Sequence, residues 1–278
     1  MTILGFTLLI ALGAFAAGFL GSLTGLGGGV VIVPLLALVF GVDIRYAVGA
    51  SLVSVIATSS GAAAAYVKEG FTNIRIGMFL EVATTFGALA GAVLAAHVSG
   101  SAVAIVFGAV LLVSAYLSGR RQPEPGLDGA PDPLAVRLRM DGTFPGPNGP
   151  QPYHVRRVPL GFGMMFVAGI LSGLLGIGSG ALKVLAMDRA MRIPFKVSTT
   201  TSNFMIGVTA AASAGVYLAR GWVDPGLCLP VVLGTLAGAA VGARLLPVLR
   251  VPLLRRLFQL VLLALAAQMI YKGLTGKL

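Results

Sequence analysis

The chain has 278 residues, 57% of them hydrophobic and only 10% charged, with a mean hydropathy of +0.95; a water-soluble domain carries about a quarter charged residues, so this is the composition of a polytopic membrane protein. The net charge of +11 is not interleaved with aromatics on a soluble face, which speaks against nucleic acid as a partner. One cysteine, Cys228, and two isolated histidines, His97 and His154, leave no internal disulfide and no metal centre to expect, and no cofactor is indicated.

The first apolar stretch, Ile3 to Leu23, has no Lys or Arg before it. A secretory leader would carry a basic flank, so a retained helix with its N-terminus outside is expected. Further apolar segments run over 30–41, 47–67, 75–97 and 101–118. After a polar stretch at 119–158 come 159–175, 181–191, 197–219, 224–247 and 252–271. Most can cross a hydrocarbon core of about 30 Å, which takes about 20 helical residues. Segments 30–41 and 181–191 cannot, because a helix of about twelve residues covers only about 18 Å. Each should end near mid-depth.

Both short segments follow a glycine-rich string, Gly18 to Gly29 in the first case and Gly169 to Gly180 in the second. The strings align at an offset of 151 without a gap, and the register continues through Ser51 and Ser202, Thr58 and Thr209, Tyr66 and Tyr217, Gly87 and Gly238. The chain therefore reads as two five-segment halves, 1–118 and 159–278. The intervening 119–158 holds eight of the fifteen prolines and six arginines. Proline at this density opposes regular helix, so an extended or loosely ordered loop is expected there. With this linker inside and the segments alternating, fifteen basic residues fall inside and four outside, a positive-inside bias. An odd number of segments per half makes the repeats inverted, with both termini outside the cell membrane and 119–158 cytoplasmic.

The chemistry-bearing residues cluster after the glycine strings. A helix N-terminus presents unpaired N–H groups and a partial positive charge, and glycine lets a ligand approach that backbone closely. Two such ends converging at mid-depth would cradle an anion. Gly25, Gly27, Gly28, Gly29, Gly176, Gly178, Ser179 and Gly180 are thus candidate binding residues; the competing reading is close helix crossing alone. Lys183 lies three residues past Gly180 in a membrane segment, where a charge is costly unless paired or hydrated; its counterpart in the first half is Ile32. Glu81, opposite Val232 in the repeat, is a partner for Lys183, a carrier of a coupling proton, or a carboxylate near the cytoplasmic rim paired with Arg75 or a neighbour. The third segment of each half is rich in hydroxyls, and Ser51, Ser202 and Asn203 offer donors suited to sulfonate or sulfite oxygens. Asp188, Arg189 and Arg192 read as an ion-pair cluster at the cytoplasmic rim. Trp222 reads as an interface anchor.

Gly25-Leu26-Gly27-Gly28-Gly29, followed by Val33-Pro34-Leu35-Leu36, Ala47-Val48-Gly49-Ala50-Ser51-Leu52, Tyr66 and a turn at Gly70, with a restart of the repeat at 168, resembles the TauE/SafE family of membrane permeases. The likeness covers the chain outside the linker. It implies an α-helical carrier of sulfite, sulfonates or sulfoacetate, with the lining at Gly25 to Gly29, Gly176 to Gly180 and the serine-bearing helices after them. The second half departs from the family pattern at Ser179, at Lys183-Val184-Leu185 and at Thr199 to Asn203.

The resulting expectation is an all-α polytopic membrane protein with one short broken or re-entrant helix in each inverted half. Its partners are a small anion and the bilayer, and a homodimer is compatible with the sequence. The expected function is secondary anion transport by alternating access, one half rocking against the other around a fixed site. An anion channel, or a carrier of a different small anion, is the alternative. No Walker string occurs, and the membrane segments place no Ser/His or Asp/Asp constellation of an enzyme.

Overall fold

The structure is a computed structural model that describes residues 3–24, 28–68, 71–118, 132–146, 149–245 and 251–276. Ten apolar stretches fold as helix: α1 (Ile3–Thr24), α2 (Gly29–Pro34), α3 (Ile44–Lys68), α4 (Ile74–Leu94) and α5 (Gly100–Ser118), then, after a short α6 (Pro133–Arg137), α7 (Val158–Leu175), α8 (Gly180–Leu185), α9 (Phe195–Ala219), α10 (Pro225–Leu245) and α11 (Val251–Thr275). Among the described residues, five of them, α1, α4, α7, α9 and α10, are long and apolar enough to cross a membrane. Their outer faces carry large exposed apolar side chains, such as Leu8 and Leu12 on α1, Phe86 on α4 and Leu233 on α10, which a bilayer accepts and water does not.

The two short segments are indeed short. Each is a six-residue α-helix continued by one wide π turn, Leu35–Val39 after α2 and Ala186–Ala190 after α8. Pro34 precedes the first turn, but Leu185 stands in the same place in the second, so the missing proline N–H is not what widens the helix.

Glycine sets which helices touch. A Cβ on Gly18 would strike the Thr235 backbone and one on Gly169 the Thr84 backbone; one on Gly238 would strike Phe15 O and one on Gly87 Phe166 O. Thr84 and Thr235, like Phe15 and Phe166, are 151 residues apart, so these contacts come in matched pairs. They bring α1 alongside α10 and α4 alongside α7 at backbone-to-backbone distance, as small residues do in membrane bundles. Both pairs join elements from different halves of the sequence. α4 also packs on α9, and α10 on α3. The result is two bundles, α1–α2–α3 with α10 and α7–α8–α9 with α4, that meet where α3 crosses α9 antiparallel. α5 and α11 pair with each other along the side. A distinct buried core of Ile76, Leu80, Met165, Met187, Met191 and Met205 marks the second bundle.

The polar linker is more ordered than its prolines suggest. Asp132 caps α6 through Leu134 N at 2.8 Å and also accepts from Val158 N at 3.0 Å, pinning the start of α7. Strands β1 (Gly142–Gly146) and β2 (Gly149–Tyr153) form an antiparallel hairpin with Pro145 opposite Pro150. In a two-stranded ribbon each strand has a free edge, and proline is tolerated there. Asn73 ties the hairpin down. Its Oδ1 caps α4 by accepting from Ile76 N at 3.1 Å, its Nδ2 donates to Tyr153 Oη at 2.6 Å and to Met140 O at 3.0 Å, and its N–H donates to Thr201 Oγ1 at 3.1 Å. Burial pushes the Tyr153 phenol above its ordinary range against the opposing effect of the Asn73 bond, with the Asp141 carboxylate adding to the rise. Residues 119–131 and 147–148, the remainder of the expected loop, lie outside the described residues.

Candidate functional site

The glycine loops meet at the seam between the bundles. In the second half the chain leaves α7 through Gly176 (φ +68), passes Gly178 (φ +66) and enters α8 from Ser179 (φ +48). Three left-handed residues in four make this turn; glycine adopts that conformation without strain, whereas Ser179 does so at a cost. In the first half Gly28 and Gly29 open α2 and are buried; Gly25 and Gly27 lie outside the described residues. A Cβ on Gly29 would sit 3.1 Å from Gly176 O, 2.9 Å from Ser51 Oγ and 2.8 Å from Val55 Cγ2. One on Gly178 would sit 2.8 Å from Ile206 Cγ2 and 3.2 Å from Val55 Cγ1. The two strings therefore come together, with α3 and α9 closing over them.

The candidate serines bind this backbone. Ser51 Oγ donates to Gly176 O at 2.7 Å, linking the two halves, and reaches Gly29 O at 3.5 Å; Ser202 Oγ donates to Gly180 O at 3.3 Å. The Ser51–Gly29 and Ser202–Gly180 bonds occupy matching positions in the two halves. Asn203 is buried beside Ser202 on α9. Ser179 Oγ is buried with no hydrogen-bond partner among the described residues.

One half holds a charge. Lys183, in α8, is 0% exposed. Its Nζ donates to Thr209 Oγ1 at 2.5 Å, Thr209 in turn donates to Glu81 Oε1 at 2.6 Å, and Nζ stands 3.8 Å from Glu81 Oε2. Thr85 Oγ1 donates to the same Oε1 at 3.2 Å, and Oε2 has no hydrogen bond among the described residues. Burial of an ammonium and a carboxylate is tolerable only as a pair with further hydrogen bonds, and Thr209 supplies the link. Of the three readings open for Glu81, pairing with Arg75 is not what the structure contains: Arg75 Nη1 donates to Arg139 O at 3.2 Å.

Thr209 and Asn73 are the residues that sequence reasoning gave no role. Thr209 was visible as one of the hydroxyls of the third segment and as the counterpart of Thr58, which makes the ordinary back-bonds of a membrane threonine to Ser54 O and Val55 O. The rim cluster is looser than expected: among the described residues no close ion pair joins Asp188 to Arg189 or Arg192, and Asp188 Oδ2 is buried without a hydrogen bond, although both guanidiniums act electrostatically on the carboxylate. Trp222 stacks with cations. Its ring lies 5.2 Å from the Arg45 guanidinium and 5.3 Å from that of Arg220, and at the matched position Lys196 Nζ lies 5.7 Å from the Phe71 ring. The α3–α9 crossing thus carries a cation–ring contact at each end. A cleft of ≈ 270 Å³, lined in part by Arg75, Arg139, Asp141 and Tyr153, lies at the hairpin and not at the glycine loops. Among the described residues no group of three or more His, Cys, Asp or Glu could hold a metal ion.

Residues 10–269 match the model of one protein family, described as sulfite exporter TauE/SafE. Curated relatives match along nearly their whole length. A probable membrane transporter protein of Bacillus subtilis, YunE, is 29% identical over 98% of this chain and 99% of its own. A second from that organism, YdhB, is 28% identical over 85% of this chain and 89% of its own. A probable membrane transporter protein of Xylella fastidiosa is 25% identical over 93% of this chain and 91% of its own. No solved structure matches the chain.

Proposed function

Because the chain belongs to the sulfite exporter TauE/SafE family of membrane transporters, we propose that it carries small sulfur-containing anions, of the sulfite, sulfonate or sulfoacetate type, as a secondary transporter. The observation that carries this reading is Lys183, a cation wholly buried in a six-residue helix that follows a glycine turn abutting its counterpart from the other half. A buried charge in a membrane segment marks a substrate or ion path, and a positive one suits an anion. The matched glycine contacts and the antiparallel α3–α9 crossing support inverted repeats, and the excess of basic residues on one side supports both termini outside and the hairpin at the cytoplasmic end. Ser51, Lys183 and Ser202 are sealed from solvent, so substrate enters only if the seam opens. The bodies that move apart are the two mixed bundles, because the tightest backbone contacts lie within them and tie the sequence halves together.

Purified protein is to be tested by thermal shift against sulfite, thiosulfate, sulfate and sulfoacetate, and by counterflow in liposomes. A sulfur oxyanion should raise the melting temperature where cationic and neutral solutes do not, and labelled anion should exchange against unlabelled anion with saturation. Lys183→Ala should weaken anion binding at least tenfold, the loss of one charge-assisted contact, while Lys277→Ala should not. Equal effects of the two substitutions would remove Lys183 from the site, and unsaturating flux without trans-stimulation would make the protein a channel.

A further inference from the structure

We propose that Glu81 is the proton carrier of this transporter: a monovalent anion takes Lys183 only when Glu81 is protonated, so that one proton travels with each anion. The inference rests on the transport reading above and adds the coupling ion to it.

The geometry is that of a pair held short of full contact. Lys183 has three N–H donors, and its one hydrogen bond among the described residues goes to Thr209. Glu81 has one oxygen satisfied by Thr209 and Thr85 and one, Oε2, buried without a hydrogen bond 3.8 Å from the ammonium. An incoming anion needs the donors that face Oε2. With Glu81 ionised, two negative groups would share one cation at close range in a medium of low dielectric, where like charges strongly disfavour one another. Protonation removes the rival and leaves Thr209 able to bridge, since a carboxylic acid still accepts at one oxygen. The charges balance in both directions of the cycle. The empty site holds one ammonium and one carboxylate; the loaded site holds the ammonium, the anion and a neutral acid. Neither form carries a net charge across the bilayer, whereas a divalent anion would leave one uncompensated.

Little else can take the proton. α7 contains no titratable residue, and α9 contributes only Lys196 and Tyr217, about 20 Å and 12 Å along the helix from Thr209. On α4 itself Arg75 is engaged with Arg139 O. The element bearing Lys183 continues to Asp188 and Arg189, and Asp188 is the carboxylate that has to be controlled for.

The test uses wild-type, Glu81→Gln and Asp188→Asn proteins in liposomes, with methanesulfonate, a permanently charged monoanion, and sulfite as probes. For sulfite, whose own protonation changes with pH, wild type and Glu81→Gln are compared at equal pH. In the wild type, a one-unit pH gradient should sustain about tenfold accumulation, indifferent to membrane potential. Glu81→Gln, which mimics the protonated acid, should exchange labelled for unlabelled anion yet accumulate none, and Asp188→Asn should behave as wild type. Gradient-driven accumulation by Glu81→Gln, its loss in Asp188→Asn, or a wild-type flux that follows membrane potential overturns the proposal. If Glu81→Gln does not fold, the wild-type ratio decides alone, and any value other than one proton per anion overturns it. No wild-type flux of either probe at any pH removes the transport reading itself.

Discussion

Thr209 is the residue on which the buried pair depends, although it carries no charge. Its hydroxyl accepts from Lys183 and donates toward Glu81, and both partners are buried. Thr209→Val keeps the shape and removes the hydroxyl, leaving a buried ammonium and a buried carboxylate each short of a hydrogen bond. Such a loss costs about 1–3 kcal/mol, and more for charged groups, so a clear fall in melting temperature in detergent is expected. Thr209→Ser should lie close to wild type; a fall as large as that of Thr209→Val would mean that the methyl packing, not the hydroxyl, is what matters. The sequence made Lys183 and Glu81 conspicuous because charge is rare in apolar segments. It could not single out Thr209, because threonine in a membrane helix commonly bonds its own backbone and nothing local distinguishes the copy that bridges two ions. Ser51 and Ser202 were legible as matched positions. Their bonds to Gly176 and Gly180 carbonyls were not, since these depend on how α3 and α9 close over the loops.

At the scale of elements, the helix positions followed from hydrophobicity and the short segments from their length, but the packing partners did not. Gly91 and Gly173 lie on α4 and α7 where a Cβ would strike the Ile170 and Ala88 backbones, whereas a Cβ on Gly163 would meet nothing within 4 Å. A side-chain obstacle can rotate away; a backbone carbonyl cannot. Overpacking of this kind costs about 1–3 kcal/mol or more. Gly91→Val is therefore expected to lower the yield of monodisperse protein sharply, and Gly163→Ala to leave it unchanged, as read by size-exclusion chromatography in detergent. Comparable behaviour of the two variants would show that α4 and α7 do not approach as closely as described. The described part of the linker follows a related logic. Its prolines do oppose long helix, but α6 takes Pro133 in its first turn and the hairpin leaves Pro145, Pro150 and Pro152 on free edges. Docking then comes from Asn73, a residue in a different segment that also caps α4.

For the molecule as a whole, the offset of 151 residues organises more than sequence. It relates the glycine contacts, the π turns after α2 and α8, and the cation–ring contacts at the two ends of the α3–α9 crossing, yet the moving units we propose are not the halves it separates. Each bundle takes three elements from one half and one from the other, α10 or α4, held by contacts that admit no side chain. Glu81 reaches Lys183 through that exchange, because α4 lies in the bundle of α8 and α9. Two cross-links separate the alternatives. A Cβ at Gly207 would lie 3.7 Å from Ser59 Cβ, within the range of about 3.5–4.5 Å that a disulfide requires, so Ser59→Cys with Gly207→Cys, in a Cys228→Ser background, locks α3 to α9 across the seam. The Phe79 and Phe162 rings, on α4 and α7, lie 5.2 Å apart, so cysteines there can be joined by a short bifunctional reagent within one bundle but between the two sequence halves. The first lock is expected to stop anion counterflow until it is reduced, and the second to leave it running. If the second lock also stops transport, the sliding surface runs between α4 and α7, and the sequence halves, not the mixed bundles, are the bodies that move.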